Sequence, residues 1–158
     1  MMISMVRSVD IQTKLLCIIA LCNLLDDNTV DYMLKEGLVG SVANLSKMSD
    51  NDTTHLCATL MNQLTYYLAA RKNIAEKIPI LQSLFAMTDS DRTETRIMAA
   101  RTTSNLVLCP EVGHQTLEAG ALKSLEAGVD SGDDEAALQC LKAIFMASTV
   151  THPLDTRY

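Results

Sequence analysis

The chain has 158 residues, of which 48% are apolar but only 4% aromatic, with six glycines, three prolines and no tryptophan. This length fits one domain, and a core of Leu, Ile, Val, Ala and Met favours an all-α fold, because strands are enriched in aromatic and β-branched residues. The formal net charge of −6 disfavours nucleic-acid binding, which needs a basic surface.

The first predicted element is a long helix at 10–25, which closes a partial repeat at 1–25. The next repeat, at about 26–69, is predicted to contain helices at 28–37, 38–48 and 52–69. Gly37 stands where the first of these helices ends, a position that favours the left-handed conformation of glycine. An acidic turn rich in N-capping side chains precedes the third helix.

Two further repeats follow with the same order of elements. The repeat at about 70–109 has predicted helices at 71–78, 79–88 and 92–108. The repeat at about 110–148 has predicted helices at 112–120, 121–129 and 133–148. Pro79 suits the start of a helix, and Gly120 repeats the break seen at Gly37. The sequence therefore predicts a single domain over 1–150 and a flexible C-terminal tail at 149–158.

Equivalent residues support this division into repeats with a period of about 40 residues. One set, separated by 40, 42 and 38 residues, is Asn23, Gln63, Asn105 and Ala143. A second set, separated by 42 and 41 residues, is Ser41, Ser83 and Ser124. Six places before each member of the first set stands a small side chain: Cys17, Cys57, Ala99 and Ala137. Agreement between independent sets indicates stacked repeats.

The segments EGLVGSVANL and LCIIALCNLL, and again EAGALKSL and AARTTSNLVL, carry a resemblance to the armadillo repeat. They share a Gly between first and second helices and an Asn-Leu pair late in the third. Over residues 3–148 the resemblance implies a right-handed α-solenoid of about three three-helix repeats plus a partial N-terminal repeat. HEAT repeats, with two helices and no Gly break, are the alternative. Pro79, Gln63 and Ala143 depart from the armadillo pattern.

The resemblance also implies a binding groove lined by the third helices. In the armadillo family the third-helix Asn faces this groove and bonds the backbone of an extended partner chain. The residues predicted to line the groove here are Asn23, Gln63, Asn105, Thr59, Arg101 and Tyr67. Arg101 would favour an acidic partner, and Tyr67 would supply a hot spot. The competing interpretation is that the amides hold the repeats in register and that Arg101 is paired locally.

No pattern of catalytic or metal-binding residues accompanies these repeats. The three histidines lie in separate segments without zinc spacing, and phosphate-binding and nucleophile motifs are absent from the sequence. We therefore expect no enzymatic activity, cofactor, metal or small-molecule substrate. The odd number of cysteines, an opening too short for a secretory signal, and apolar stretches too short for a membrane span predict a cytoplasmic protein, or alternatively a nuclear or cytoskeleton-associated one.

The leading functional hypothesis is an adaptor or scaffold that binds an extended protein segment. The alternative is a structural subunit of a large cytoskeletal or ciliary assembly that makes contacts through its ends or its convex face. An importin-like transport receptor is less favoured, because the chain lacks the tryptophans that hold partner lysines in that branch. Neither end shows a polar capping helix, so the chain is either one piece of a longer solenoid or packs its ends against something.

Overall fold

The computed structural model describes residues 10–48 and 50–151, and within these ranges the chain is helical without any strand. In chain order the helices are α1 (Ile11–Leu24), α2 (Val30–Lys35), α3 (Leu38–Met48), α4 (Asn51–Leu64), α5 (Leu68–Ala75), α6 (Ile78–Ala86), a 3-10 helix (Met87–Asp89), α7 (Thr93–Val107), α8 (Gly113–Glu118), α9 (Ala121–Val129) and α10 (Asp134–Thr151). The predicted all-α fold is confirmed.

The repeats stack one on the next in chain order. The third helices pack side by side, with α1 against α4, α4 against α7, and α7 against α10. The second helices follow the same order, with α3 against α6 and α6 against α9. Most of a repeat's packing is therefore with its immediate neighbours, as in a solenoid.

The ends of the helices are fixed by the residues that the sequence singled out. Gly37 and Gly120 have φ angles of 82° and 101°, in the left-handed region that glycine adopts without a steric penalty. Pro79 lies in the first turn of α6, where a missing N–H leaves no intrahelical bond unmade. Asp50 caps α4 by accepting hydrogen bonds from the backbone N–H groups of Asp52 and Thr53, both at 3.0 Å.

Buried aliphatic side chains run the length of the stack and form its core. All five cysteines are free, and four of them are buried. Burial raises the pKa of the Cys57 thiol to about 12 and that of the Cys140 thiol to about 11. These side chains are therefore neutral and act as small apolar packing groups.

Gly128 allows the last second helix to approach two third helices closely. A Cβ atom at this position would lie 2.4 Å from the Sγ of Cys140 and 2.7 Å from the Cβ of Ala100, both shorter than any normal contact. Glycine is therefore the residue that lets α9 pack against both α7 and α10 at this point.

Several predicted boundaries were wrong. The helix predicted at 71–78 is observed three residues earlier, as Leu68–Ala75. The third helix predicted at 52–69 ends at Leu64, because the hydroxyl of Thr65 turns back to the carbonyl of Asn62 at 2.6 Å and the chain then makes a turn into α5. Residues 149–151, predicted to belong to the flexible tail, form the end of α10, where the hydroxyl of Thr149 bonds the carbonyl of Met146. The rest of the predicted tail, 152–158, lies outside the described residues.

Within 10–48 and 50–151, none of the helices is both long enough and apolar enough to cross a membrane.

Candidate functional site

The amides predicted to line the groove occupy equivalent positions near the C-terminal ends of three adjacent third helices. Asn23 lies on α1, Gln63 on α4 and Asn105 on α7. We call these three residues the amide row. Asn23 is exposed, whereas Gln63 and Asn105 are half-buried because a further helix packs on each side of theirs.

Asn105 is held by hydrogen bonds on both sides. Its Oδ1 accepts a bond from the Nε2 of Gln139 on α10, and its Nδ2 donates to the Oγ1 of Thr65 at 2.8 Å. Because Thr65 donates in turn to the carbonyl of Asn62, the bonds form a continuous chain across three repeats. This arrangement supports the interpretation that Asn105 keeps the stack in register, although the side chain retains one N–H and one acceptor lone pair.

The other two members of the amide row have hydrogen-bonding groups without a partner. Asn23 makes no side-chain hydrogen bond to the part of the chain that the structure describes. The Oε1 of Gln63 is buried and also lacks a partner there. A buried acceptor without a bond costs about 1–3 kcal/mol, so a rotation of the Gln63 side chain that brought this oxygen to a donor of a bound molecule would be stabilising.

The hydroxyl groups of Thr59 and Tyr67 are both hydrogen-bonded within the chain. The hydroxyl of Thr59 donates to the carbonyl of His55, one turn earlier in the same helix, at 3.0 Å. Tyr67 was expected to lie one turn after Gln63 on the groove face, but α4 has already ended. It lies in the turn before α5, where its ring packs against the core and its hydroxyl reaches the carbonyl of Leu25 at 3.5 Å.

Arg101 lies on the predicted face, but its charge is paired. Its Nη2 is 3.1 Å from the Oε1 of Glu135 on the next third helix, and the side chain is only 25% exposed whereas that of Glu135 is 75% exposed. The same pattern occurs at Arg92, which contacts Asp52 at 2.6 Å and Glu94 at 3.5 Å. The carboxylates are therefore more accessible than the guanidinium groups, so the expected preference for an acidic partner is not supported.

We call the three carboxylates Asp52, Glu94 and Glu135 the acidic edge, since they lie near the N-terminal ends of α4, α7 and α10. Each of the three is the second residue of its helix, and Asp52 and Glu94 are 42 residues apart like Gln63 and Asn105, so the spacing of the repeats could have indicated this edge. His55 lies close to the acidic edge and is half-buried. Its burial, together with the positive charge of Arg92, lowers the pKa of this histidine despite the opposing charges of Glu94 and Asp52.

Three open depressions with volumes of about 490, 440 and 310 Å³ are lined by residues outside the amide row. In residues 10–48 and 50–151, no three His, Cys, Asp or Glu side chains are placed to hold a metal ion.

No model of a protein family matches the sequence, and no curated protein is significantly similar to it. Several solved structures are similar to the chain. A designed armadillo repeat protein in complex with the peptide (KR)4 has a TM-score of 0.79 and 14% identity, covering 91% of this chain and 62% of that chain. A second designed armadillo repeat protein has a TM-score of 0.79 and 17% identity, covering 90% and 61%.

A further engineered protein has a TM-score of 0.78 and 20% identity, covering 95% of this chain and 68% of that chain. The chain therefore spans less than two thirds of the length of the two designed armadillo proteins. At identities of 14%, 17% and 20%, similarity between structures shows the fold alone. The chain has an armadillo-like helical repeat fold.

Proposed function

We propose that the chain is a non-enzymatic protein-binding scaffold whose third helices hold an extended segment of a partner protein. The observation that carries this proposal is that Asn23 and Gln63 stand at equivalent positions of two packed helices, and that the exposed amide of Asn23 and the buried oxygen of Gln63 have no hydrogen-bond partner among the described residues. The similar designed protein in complex with a peptide supports it. The free thiols are consistent with a reducing compartment such as the cytoplasm.

The spacing of the helices fits an extended chain. Packed helices lie about 8–10 Å apart, and an extended chain advances about 3.3 Å per residue. Successive members of the amide row would therefore meet the partner backbone every two to three residues. Each amide can donate to a carbonyl and accept from an N–H of that backbone, so recognition does not depend on the partner's side chains.

The acidic edge lies at the opposite end of the third helices from the amide row, since Asp52 and Glu94 precede Gln63 and Asn105 by eleven residues, or about 16 Å along the helix. It would therefore contact a part of the partner that extends beyond the segment held by the amides. Asp52, Glu94 and Glu135 are 77%, 64% and 75% exposed, while the arginines paired with them are at most 31% exposed. Basic side chains in that part of the partner would find accessible carboxylates there. Because these contacts lie near the surface, we expect binding to weaken as salt is added.

The test uses a labelled alternating Lys-Arg octapeptide as probe, with an alternating Glu-Asp octapeptide as the charge-reversed control, and measures binding by fluorescence anisotropy. We expect the basic peptide to bind and the acidic peptide to bind much more weakly. Asn23→Ala should weaken the binding of the basic peptide about fivefold, because it removes one hydrogen bond of about 1 kcal/mol. It should leave the melting temperature of the protein unchanged.

The matched control is Asn44→Ala, which removes an exposed amide from α3. This variant should bind like the wild type. Equal binding of the two peptides, or no loss of binding in Asn23→Ala, would contradict the proposed groove.

A second candidate function is a structural subunit that makes its contacts through the ends of the stack. It is favoured by exposed apolar side chains on the first and last third helices, α1 and α10.

A further inference from the structure

The last repeat exposes apolar side chains at positions that are buried one repeat earlier. They are Leu122 on α9 and three residues on one side of α10, with exposures of 48%, 56%, 49% and 66% for Leu122, Leu138, Leu141 and Phe145. The equivalent residues of the preceding repeat, all at most 7% exposed, are Leu81, Ala100, Thr103 and Val107. We call the four exposed residues the C-terminal face.

The first helix, α1, also exposes apolar side chains whose equivalents in a later repeat are more buried. Leu16 and Leu24 on α1 are 67% and 46% exposed, and Ala20 between them is half-buried. Their spacing of four residues places them along one side of the helix. The equivalent residues on α7, Met98, Thr102 and Leu106, are half-buried or fully buried. We call Leu16, Ala20 and Leu24 the N-terminal face.

The two faces correspond to the two halves of a contact that already exists inside the stack. Ala100 on α7 packs against Cys140 on α10, whose Sγ lies 3.8 Å from the Ala100 carbonyl oxygen. The residue equivalent to Ala100 on the C-terminal face is Leu138, and the residue equivalent to Cys140 on the N-terminal face is Ala20. If two molecules stacked in this register, a large side chain would meet a small one, so the contact could form without a clash.

The charges of the two ends favour the same pairing. Residues 110–158 contain three basic and eight acidic residues, a net charge of −5 (3 − 8). Residues 1–27, which include the exposed Asp26 and Asp27 after α1, contain two basic and three acidic residues, a net charge of −1 (2 − 3). Contact between unlike ends therefore brings together less like charge than contact between two C-terminal faces.

We propose that the chain binds a second copy of itself head to tail, with the C-terminal face of one molecule on the N-terminal face of the next. Such a heterologous contact leaves one free face at each end of every oligomer, so the molecules add in a line unless the rotation between them closes a ring. The third helices of successive molecules would then form one continuous stack.

The test measures weight-average mass by sedimentation equilibrium from micromolar to near-millimolar concentration. We expect the mass to rise with concentration to at least twice the chain mass of 17.3 kDa. Leu138→Glu, which places a charge on the C-terminal face, and Leu16→Glu, which places one on the N-terminal face, should each stay monomeric alone. An equimolar mixture of the two variants should form a dimer and nothing larger, because each supplies the face that the other lacks.

Ile78→Glu is the matched control, since Ile78 is 58% exposed but lies on α6 outside both faces, and it should associate like the wild type. Circular dichroism checks that each variant is folded, and Leu141→Gln with Leu24→Gln provides a milder pair for the same mixing experiment. A wild-type mass that stays at the monomer value over the whole range overturns the proposal. So does self-association of Leu16→Glu alone, which would mean that two C-terminal faces pair with each other.

Discussion

The middle of the stack and its ends use equivalent residues in different environments. Leu106 on α7 is completely buried, whereas its equivalent Leu24 on α1 is 46% exposed. Asn105 is bonded to the repeats on both sides, whereas its equivalent Asn23 makes no side-chain bond to the described residues. The difference comes from the number of neighbours, because an interior helix contacts a repeat on each side and an end helix on one.

The same repeat position stabilises the stack in its middle and is accessible to other molecules at its ends. In the middle, apolar residues form the core and amides connect the repeats. At the ends, the same kinds of residue are accessible to other molecules. The repeat sequence alone therefore does not assign a role to a residue, and its place in the stack must be known as well.

The largest expected difference between the two regions is at the equivalent leucines. Leu106→Ala should lower the free energy of unfolding by about 3 kcal/mol, because it removes buried apolar contacts and leaves a cavity. Leu24→Ala should cost less than about 1 kcal/mol, because its side chain is already in contact with water. Denaturant titration followed by circular dichroism measures both values. Equal losses at the two positions would mean that α1 is covered in solution.

A smaller difference is expected at the equivalent amides. Asn105→Ala removes two hydrogen bonds and leaves the Gln139 amide without its acceptor, so it should lower the free energy of unfolding by about 2 kcal/mol. Asn23→Ala should change it by less than about 0.5 kcal/mol. A double-mutant cycle with Gln139→Ala isolates the bond between α7 and α10. A coupling energy of zero would contradict the role of Asn105 in keeping the repeats in register.

The smallest effect concerns the half-buried histidine in the middle of the stack. The pKa of His55 is lowered in the folded protein, so below the unfolded value of about 6.5 the unfolded chain binds more protons. Stability should therefore fall as the pH drops from 7 toward 5, and His55→Gln should reduce this fall. Melting temperatures across that range measure it. Asn44→Gln, an exchange of exposed amides without a titratable group, is the control and should leave the pH profile unchanged.

Most of the fold follows from local signals in the sequence. The period of about 40 residues places three helices in each repeat, and Gly37, Pro79 and Gly120 mark their breaks because each has a backbone property that few other residues share. The predicted third helix at 92–108 is observed as Thr93–Val107. These features depend on residues close together in the chain, so a single sequence is sufficient to predict them.

The candidate site was less predictable because its contacts join positions that are not equivalent. Asn105 bonds Thr65 and Gln139, which stand at other places in their own repeats, so aligning the repeats does not reveal the bonds. The end of α4 was not predicted because the side chain of Thr65 competes with the helix for a carbonyl, and Tyr67 therefore lies in a turn and not on α4 one turn after Gln63. Whether the predicted site residues bind a partner stays a prediction.

The buried cysteines can report local opening of the stack. A thiol reacts as the thiolate, and the raised pKa values of Cys57 and Cys140 leave almost none of that form while their repeats are packed. Because these residues lie on α4 and α10, the rate at which each is alkylated would follow the transient opening of one part of the stack. The order in which the repeats separate could thus be read from the unmodified sequence, without an added label.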